Sequence, residues 1–198
     1  RKVWLKDSWR IALDEIEKEY AVYAKLRAKD VPNVAEMLCG GDVVGGPGQR
    51  TLTPDYVDAP WRRGEVDILP HCHYRLVLGS FGRPLKDFRS TKELVGVVRD
   101  ALVAHWEAFS RAGVLHRDIS GGNILIVQDD KTTHGVLIDW DMSKDMTVDA
   151  PSLIKWRIGT WRFMSAAILR QSDKPHEYCD DLESFEHVIT YHILRYRP

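Results

Sequence analysis

The sequence has 198 residues, of which 44% are hydrophobic and 29% are charged, as is ordinary for a single globular domain. Its formal net charge is -1, so it lacks the basic excess that attracts nucleic acids and anionic membranes. No apolar run approaches the length of a membrane span. We therefore expect a soluble enzyme or binding domain, with neither nucleic acid nor membrane as a partner.

The first half of the sequence predicts a strand, a helix and two further strands. An apolar run over residues 3–5 ends at Lys6, and from Ser8 onward apolar residues recur at the spacing of a helix. Asp7 or Ser8 is a suitable cap for that helix. Two more strands are predicted over residues 37–44 and 74–78. The polar, proline-rich residues 45–70 between them are predicted to form an insertion.

The second half is dominated by helices. An amphipathic helix is predicted over residues 91–112, with Gly113 ending it. Two short strands and a last helix follow, over residues 124–127, 135–138 and about 181–194. This order of elements indicates an α+β fold, with a small lobe containing a sheet and a larger helical lobe.

The cysteines give information about the compartment. Cys39, Cys72 and Cys179 lie far apart and without C-x-x-C spacing, which argues against a disulfide framework or a zinc ribbon. A reducing, intracellular setting in the cytoplasm or nucleus is therefore expected. His71 and His73 flank Cys72, but neighbouring residues of a strand point to opposite faces, so a histidine-rich strand is favoured over a metal site.

The most informative motif is His116-Arg117-Asp118, followed at H-R-D-x-x-x-x-N spacing by Asn123. A second aspartate, Asp139, closes the apolar strand downstream. The order, the spacing and the strand context match the catalytic loop and metal-binding motif of protein kinases. A lone triplet would indicate only a turn aspartate, whereas the coincidence of these features favours catalysis.

Phosphoryl transfer explains these residue types. The reaction requires positioning and charge neutralisation more than covalent help. Asp118 would meet the attacking hydroxyl, while Asn123 and Asp139 would hold Mg²⁺, because hard cations prefer oxygen ligands. Arg117 has two open interpretations: it grips a phosphorylated residue of the following segment, or it pairs locally with Asp139 or another carboxylate.

Segments on either side are consistent with the same chemistry. Residues 3–6 resemble the V-A-I-K strand of kinases, whose lysine, here Lys6, grips the phosphates of ATP. Its partner is expected on the following helix at Glu19, with Glu15 and Glu17 left open. Leu78 and Ser80 would belong to the hinge against which adenine stacks.

Together with the Gly159-Thr160 segment, these motifs resemble the fungal-type protein kinase family over nearly the whole chain. The particular forms are K-D-S-W from Lys6, H-R-D-I-S-x-G-N, I-D-W-D, G-T-x-x-F-M and D-L-E-S-F. The resemblance implies a bilobal kinase fold, ATP and Mg²⁺ as cofactors, a protein substrate and a Ser/Thr acceptor. It also implies that Asp181 anchors the backbone of the catalytic loop.

We interpret residues 1–198 as one partial kinase domain, truncated at both ends, with an N-lobe remnant over 1–79 and a C-lobe over 80–198. The glycine-rich phosphate loop expected before Lys6 is absent from the sequence. Ser120 replaces the usual lysine of the catalytic loop, and Asp141 replaces the glycine of the metal motif. Ala167 stands where a docking glutamate would fall, which predicts a looser peptide-docking region.

Two other functions remain open. The chain could be a binding scaffold that keeps the kinase shape with weak or no turnover. It could also be a phosphotransferase acting on small molecules, as aminoglycoside and choline kinases do. Arg117 and the Gly159-Thr160 segment argue against that second alternative.

Overall fold

A computed structural model of the protein describes residues 2–13, 16–46, 48–63, 68–129, 132–148, 158–171 and 173–196. It confirms the predicted α+β class, with antiparallel sheets and helices in the expected order. Within these ranges, no helix has both the length and the apolar character needed to cross a bilayer. The strands are β1 Trp4–Ile11, β2 Met37–Asp42, β3 His71–Leu78, β4 Arg83–Pro84, β5 Val114–Leu115, β6 Ile124–Gln128, β7 Thr133–Leu137 and β8 Lys144–Asp145. The helices are α1 Glu19–Ala28, α2 Thr91–Ala112, α3 Ala166–Arg170 and α4 Tyr178–Arg195.

The N-terminal sheet has the strand order β1-β3-β2, so β3 is central and pairs antiparallel with both neighbours. Its inner face is covered by α1, where the backbone N–H of Tyr20 donates to the Tyr74 hydroxyl at 2.9 Å. The approach is close, because a Cβ on Gly40 would lie 3.1 Å from the Cβ of Tyr20. This packing fixes α1, and with it Glu19, over the sheet.

The helix predicted from Ser8 is wrong in its first half. Residues as far as Ile11 continue β1, paired with β3 from Trp4↔Leu78 to Ile11↔His71. The helical spacing of apolar residues there also fits a strand whose outer face is only partly covered, and cross-strand pairing decides between them. Asp7 is accordingly not a helix cap; its carboxylate accepts from Arg75 Nε at 2.8 Å.

The predicted insertion is attached to the sheet at its start. The backbone of Arg50 bridges Cys72, and Thr51 N–H donates to the His71 carbonyl at 2.9 Å. His73 is held by Gln49 Oε1 at Nδ1 and by Asp7 Oδ1 at Nε2, each at 2.5 Å. Both ring nitrogens therefore have protein partners, as expected for a structural histidine on a strand.

Helix α2 is the centre of the second half and has the predicted bounds. Its N-cap Ser90 accepts from Glu93 N–H at 3.1 Å, and Gly113 ends it with φ 65°. The β6–β7 hairpin packs directly on α2, where a Cβ on Gly135 would lie 2.0 Å from the carbonyl oxygen of Val97. Only glycine permits that contact, so the hairpin leading to Asp139 is set firmly against the helix.

Helix α4 begins at Tyr178, earlier than predicted, because Glu177 and Asp180 form a reciprocal capping box. Asp181 therefore lies in the first turn and is fully buried. This placement brings α4 into contact with the catalytic-loop residues described below.

Candidate active site

The first half of the site is a lysine cluster, made of Lys6, Glu19, Asp139 and Asp141. Lys6 Nζ lies 2.7 Å from Glu19 Oε2 and 2.7 Å from Asp139 Oδ1, with Asp141 Oδ2 at 4.0 Å. Lys6 comes from β1, Glu19 from the start of α1, and both aspartates follow β7. The structure thus brings together the predicted lysine and glutamate; Glu15 lies outside the described residues.

Burial and charge act against each other in this cluster. Burial would lower the pKa of Lys6, but the carboxylates of Glu19, Asp139 and Asp141 outweigh it and hold the pKa above its ordinary value. Burial raises the pKa of Glu19 to about 7, although Lys6 favours its charged form. Burial also raises the pKa of Asp141, and the nearby Asp139 adds to that rise.

The backbone around Asp139 is positioned by two side chains from α1. Asp139 has φ 66°, a left-handed conformation that is rare for a residue other than glycine. Its N–H donates to the Tyr23 hydroxyl at 3.2 Å, and the next N–H, of Trp140, donates to Glu19 Oε1 at 3.2 Å. Glu19 therefore holds both Lys6 and the metal-motif backbone, which the sequence did not predict.

The second half is a loop network built on Asp118. Oδ1 of Asp118 accepts from both the N–H and the hydroxyl of Thr160 at 2.7 Å. Oδ2 accepts from Asn123 Nδ2 at 3.1 Å, and the same amide nitrogen donates to the Asp118 carbonyl at 2.8 Å. These contacts fix the carboxylate on both sides while leaving lone pairs available for a further hydroxyl.

His116 supports this network from the buried side. Its Nδ1 accepts from Asp118 N–H at 3.3 Å, and its Nε2 therefore donates to the Ile138 carbonyl at 3.1 Å. Burial lowers the pKa of His116, which favours this neutral tautomer. Ile138 N–H donates back to the Asn123 carbonyl at 2.9 Å, so Asn123 and the residue before Asp139 are directly joined.

Asp181 contacts the loop as the family resemblance implies. Its Oδ2 accepts from the backbone N–H of Arg117 at 3.0 Å, and Arg117 has φ 69°. The Arg117 guanidinium does not take the predicted local pairing: Nε donates to the Met142 carbonyl at 2.8 Å, and within the described ranges it forms no ion pair with Asp139 or another carboxylate. Its contact with a phosphorylated residue stays a prediction. Four hydroxyl residues of the following segment are candidates for that phosphorylation; Ser152 lies outside the described ranges, whereas Ser143, Thr147 and Thr160 lie inside them.

The two predicted hinge residues lie where β3 leads towards β4. Leu78 is buried and pairs with Trp4 and Met37 on the two neighbouring strands. The Ser80 hydroxyl accepts from Glu36 N–H at 3.0 Å, which ties the hinge to the segment before β2. The chain then continues to β4, which pairs with β6 immediately after Asn123.

The donor set suits a hard divalent cation. Both donor hydrogens of Asn123 are directed at Asp118, so the carbonyl Oδ1 is the atom of that side chain left for a ligand. The carboxylates of Asp139 and Asp141 are partly open to solvent, with exposed fractions of 38% and 31%. Three carboxylates share the single ammonium of Lys6, and this local excess of negative charge is what Mg²⁺ would neutralise.

Comparison with known families agrees with this geometry. The family model for the fungal protein kinase matches residues 46–193. The chain belongs to the fungal protein kinase family. The match includes the catalytic loop, Asp139 and the segment around Thr160, whereas Lys6 and Glu19 precede it.

In the segment after Thr160, Ala167 replaces the glutamate that would dock the segment on the helical lobe. Other side chains make the contacts instead. Ser165 caps α3 and donates to Asp180 Oδ1 at 2.5 Å, while Ala166 N–H donates to Glu183 Oε1 at 2.8 Å. Asp180 is held in turn by Lys174 at 2.7 Å. Carboxylates from α4 thus hold the segment that contains Ala167, while the looseness predicted for it stays a prediction.

Four functional contacts were missed from the sequence. They involve Tyr23, the hydroxyl of Thr160, and the histidines His105 and His176, which contact Asp181. His105 occurs within the apolar stripe of α2, and such a position is a signal for a buried polar role. The other three depend on contacts between distant segments that spacing does not reveal.

Proposed function

We propose that the protein transfers the γ-phosphate of ATP to a serine or threonine hydroxyl of a protein substrate, with Mg²⁺ as cofactor. Membership of the fungal protein kinase family supports a kinase-like phosphotransferase in general. The observation that carries the finer proposal is Asp118, a carboxylate held on both sides and approached at Oδ1 by a threonine hydroxyl at 2.7 Å.

The proposal assigns a distinct task to each half of the site. Lys6 would contact the ATP phosphates, and Asp139 with Asn123 would hold the cation that neutralises them. Leu78 and Ser80 would border the adenine. Asp118 would accept the proton of the attacking hydroxyl, a role for which its fixed orientation and residual lone pairs are suited.

The acceptor class is supported by Thr160. Its own hydroxyl reaches Asp118 Oδ1 at 2.7 Å, so an aliphatic hydroxyl fits at this carboxylate. Thr160 is followed by the exposed side chain of Trp161, which offers an extended peptide a surface beside the base. We propose a protein acceptor on this basis, in a cytoplasmic or nuclear setting that suits the three free cysteines.

The test is a thermal shift and a turnover assay on the whole chain, with ATP and Mg²⁺. ATP at about 100 times its Kd stabilises the folded state by about 2.7 kcal/mol, which raises the Tm of a chain of this size by about 5–10 °C. We expect this shift and ATP turnover in the wild type and their loss in Asp139→Asn. The matched control is Asp58→Asn, the same change at an exposed position.

Acceptors are then compared directly, using mixed peptides that contain serine, threonine or tyrosine, together with choline and an aminoglycoside. Phosphate recovered on serine or threonine would support the proposal. A Mg²⁺-dependent shift without turnover would favour the scaffold, and phosphate on a small molecule would favour the other alternative. If neither ligand binding nor turnover is found in the folded protein, the proposal is wrong.

A further inference from the structure

A buried cluster of two histidines and one aspartate lies behind the catalytic loop. Asp181 Oδ2 accepts from His105 Nε2 at 2.8 Å, and Asp181 Oδ1 accepts from His176 Nε2 at 2.8 Å. His105 belongs to α2 and is fully buried, whereas His176 precedes α4 and its side chain is 10% exposed. Two separate elements thus converge on one carboxylate.

The same carboxylate holds the loop, since Oδ2 also accepts from the Arg117 N–H at 3.0 Å. Three N–H groups therefore define its orientation. Burial would raise the pKa of Asp181, but the hydrogen bonds from His105 and His176 outweigh it and hold the pKa well below its usual range. The carboxylate stays ionised, and an ionised acceptor makes the stronger hydrogen bond to Arg117.

Arg117 needs such an anchor. Its φ of 69° places a side-chain-bearing residue in the left-handed region, which persists only where the surroundings impose it. The next residue is Asp118, so the direction of that carboxylate depends on the conformation at Arg117. Gly159 packs on the Arg117 carbonyl, where an added Cβ would lie 2.9 Å from the oxygen. The Gly159-Thr160 segment is therefore positioned by Arg117 as well.

The surroundings of His105 indicate that its imidazole serves to orient Asp181. Its Nδ1 is buried and has no hydrogen-bond partner among the described residues, although buried polar atoms are normally satisfied. The ring packs on Tyr178 and Phe185, with centroids 4.9 Å and 5.6 Å away, contacts that an apolar ring would make equally well. Phenylalanine would avoid the unpaired nitrogen, so what histidine adds at this position is the Nε2–H aimed at Asp181.

We propose that His105 and His176 are positioning residues for phosphoryl transfer, which orient Asp181 so that it holds Arg117 left-handed and directs Asp118. This inference rests on the proposed function for its effect on the reaction. The predicted effect on the loop itself is independent of the proposed function, because it is measurable without turnover.

Two kinds of variant are compared: those that lose the N–H donor to Asp181 and those that keep one. His176→Phe removes the N–H but keeps a ring, and His176→Gln keeps an N–H at nearly the same distance from the backbone. His105→Phe and His105→Gln form a second pair at the fully buried position. His134→Phe is the matched control, because His134 lies in the β6–β7 hairpin opposite Val127 and not in this cluster.

The experiment measures kcat, KM for ATP, and amide hydrogen exchange at Arg117. We expect both phenylalanine variants to lose about 10- to 100-fold in kcat with KM for ATP within about twofold, because a small misplacement of a reacting group costs that much. Exchange at the Arg117 amide should accelerate in parallel. Both glutamine variants should recover most of the kcat and of the protection, and His134→Phe should match the wild type.

The inference is overturned if the phenylalanine variants keep the wild-type kcat and Arg117 protection. It is also overturned if the glutamine variants are impaired as much as their phenylalanine counterparts, since the histidines would then act only through packing. If the wild type turns over no ATP, the proposed function fails, while exchange at Arg117 still decides whether the histidines hold the loop.

Discussion

The two halves of the site are held by different forces. The lysine cluster consists of ionisable groups that share Lys6, of which Lys6, Asp139 and Asp141 are partly open to solvent while Glu19 is buried. The loop network consists of hydrogen bonds to backbone and neutral side-chain groups, and its anchor Asp181 is fully buried. Open charges can rearrange around the proposed nucleotide and cation, whereas the loop network, anchored on buried Asp181, holds the proposed base Asp118 at a fixed place.

The largest expected effect separates binding from chemistry. Asp139→Asn should abolish the Mg²⁺-dependent thermal shift, because it removes a charge from the proposed cation site. Asp118→Asn should keep the shift and lower kcat by about 10²- to 10⁴-fold, the usual contribution of a positioned base. Parallel thermal-shift and turnover assays test this. If both variants lose the shift equally, the division between the two halves is wrong.

The next largest effect is expected from a substitution that disturbs the β6–β7 hairpin, which supports both halves of the site. Gly135→Ala should destabilise the protein by about 3 kcal/mol, because its Cβ would lie 2.0 Å from the Val97 carbonyl oxygen and backbone must move. Gly96→Ala is the control: it lies in α2 with open space around it and should stabilise by about 0.5–1 kcal/mol. Urea unfolding of both variants measures the difference, and equal values would contradict this account.

The lysine cluster should also respond to pH through Glu19, whose pKa rises from 4.5 to about 7 on folding. A raised pKa means that the folded state binds the proton more tightly, so stability due to this group is lost as pH rises through that interval. Relative to Glu19→Gln, the wild type should lose about 2–3 kcal/mol of unfolding free energy between pH 5 and pH 8.

Urea unfolding at the two pH values checks this, with Glu17→Gln as the control because Glu17 is exposed. A difference between wild type and Glu19→Gln that stays constant with pH would show that Glu19 is ionised throughout. Activity should change in the opposite direction to stability, since the charged Lys6–Glu19 pair forms fully only above the pKa of Glu19.

The smallest effect is expected on the surface of the insertion. Arg50 Nη2 lies 3.9 Å from Asp55 Oδ1, and the side chains are 64% and 57% exposed. Arg50→Ala should change the unfolding free energy by less than about 0.5 kcal/mol, because solvent screens such pairs. The backbone bridge from position 50 to Cys72 does not need the side chain. A loss above 1 kcal/mol in urea unfolding would mean that the Arg50 side chain stabilises the fold and would contradict this prediction.

The sequence alone determined the class of fold and the identity of the chemical groups. Helix α2, its end at Gly113 and the hairpin that carries Asp139 follow from local periodicity and turn chemistry, which neighbouring residues decide. The H-R-D-x-x-x-x-N spacing and Asp139 could also be recognised from the sequence, since a motif is defined by residue types and their order along the chain.

Tertiary structure decided the rest. The segment after Ser8 is a strand because β3 pairs with it, and this long-range pairing overrides an ambiguous local pattern. Glu19 rather than Glu17 meets Lys6 because α1 begins at Glu19. His105 and His176 meet at Asp181 from two distant segments, and a hydrogen bond between such segments leaves no periodic signal in the sequence.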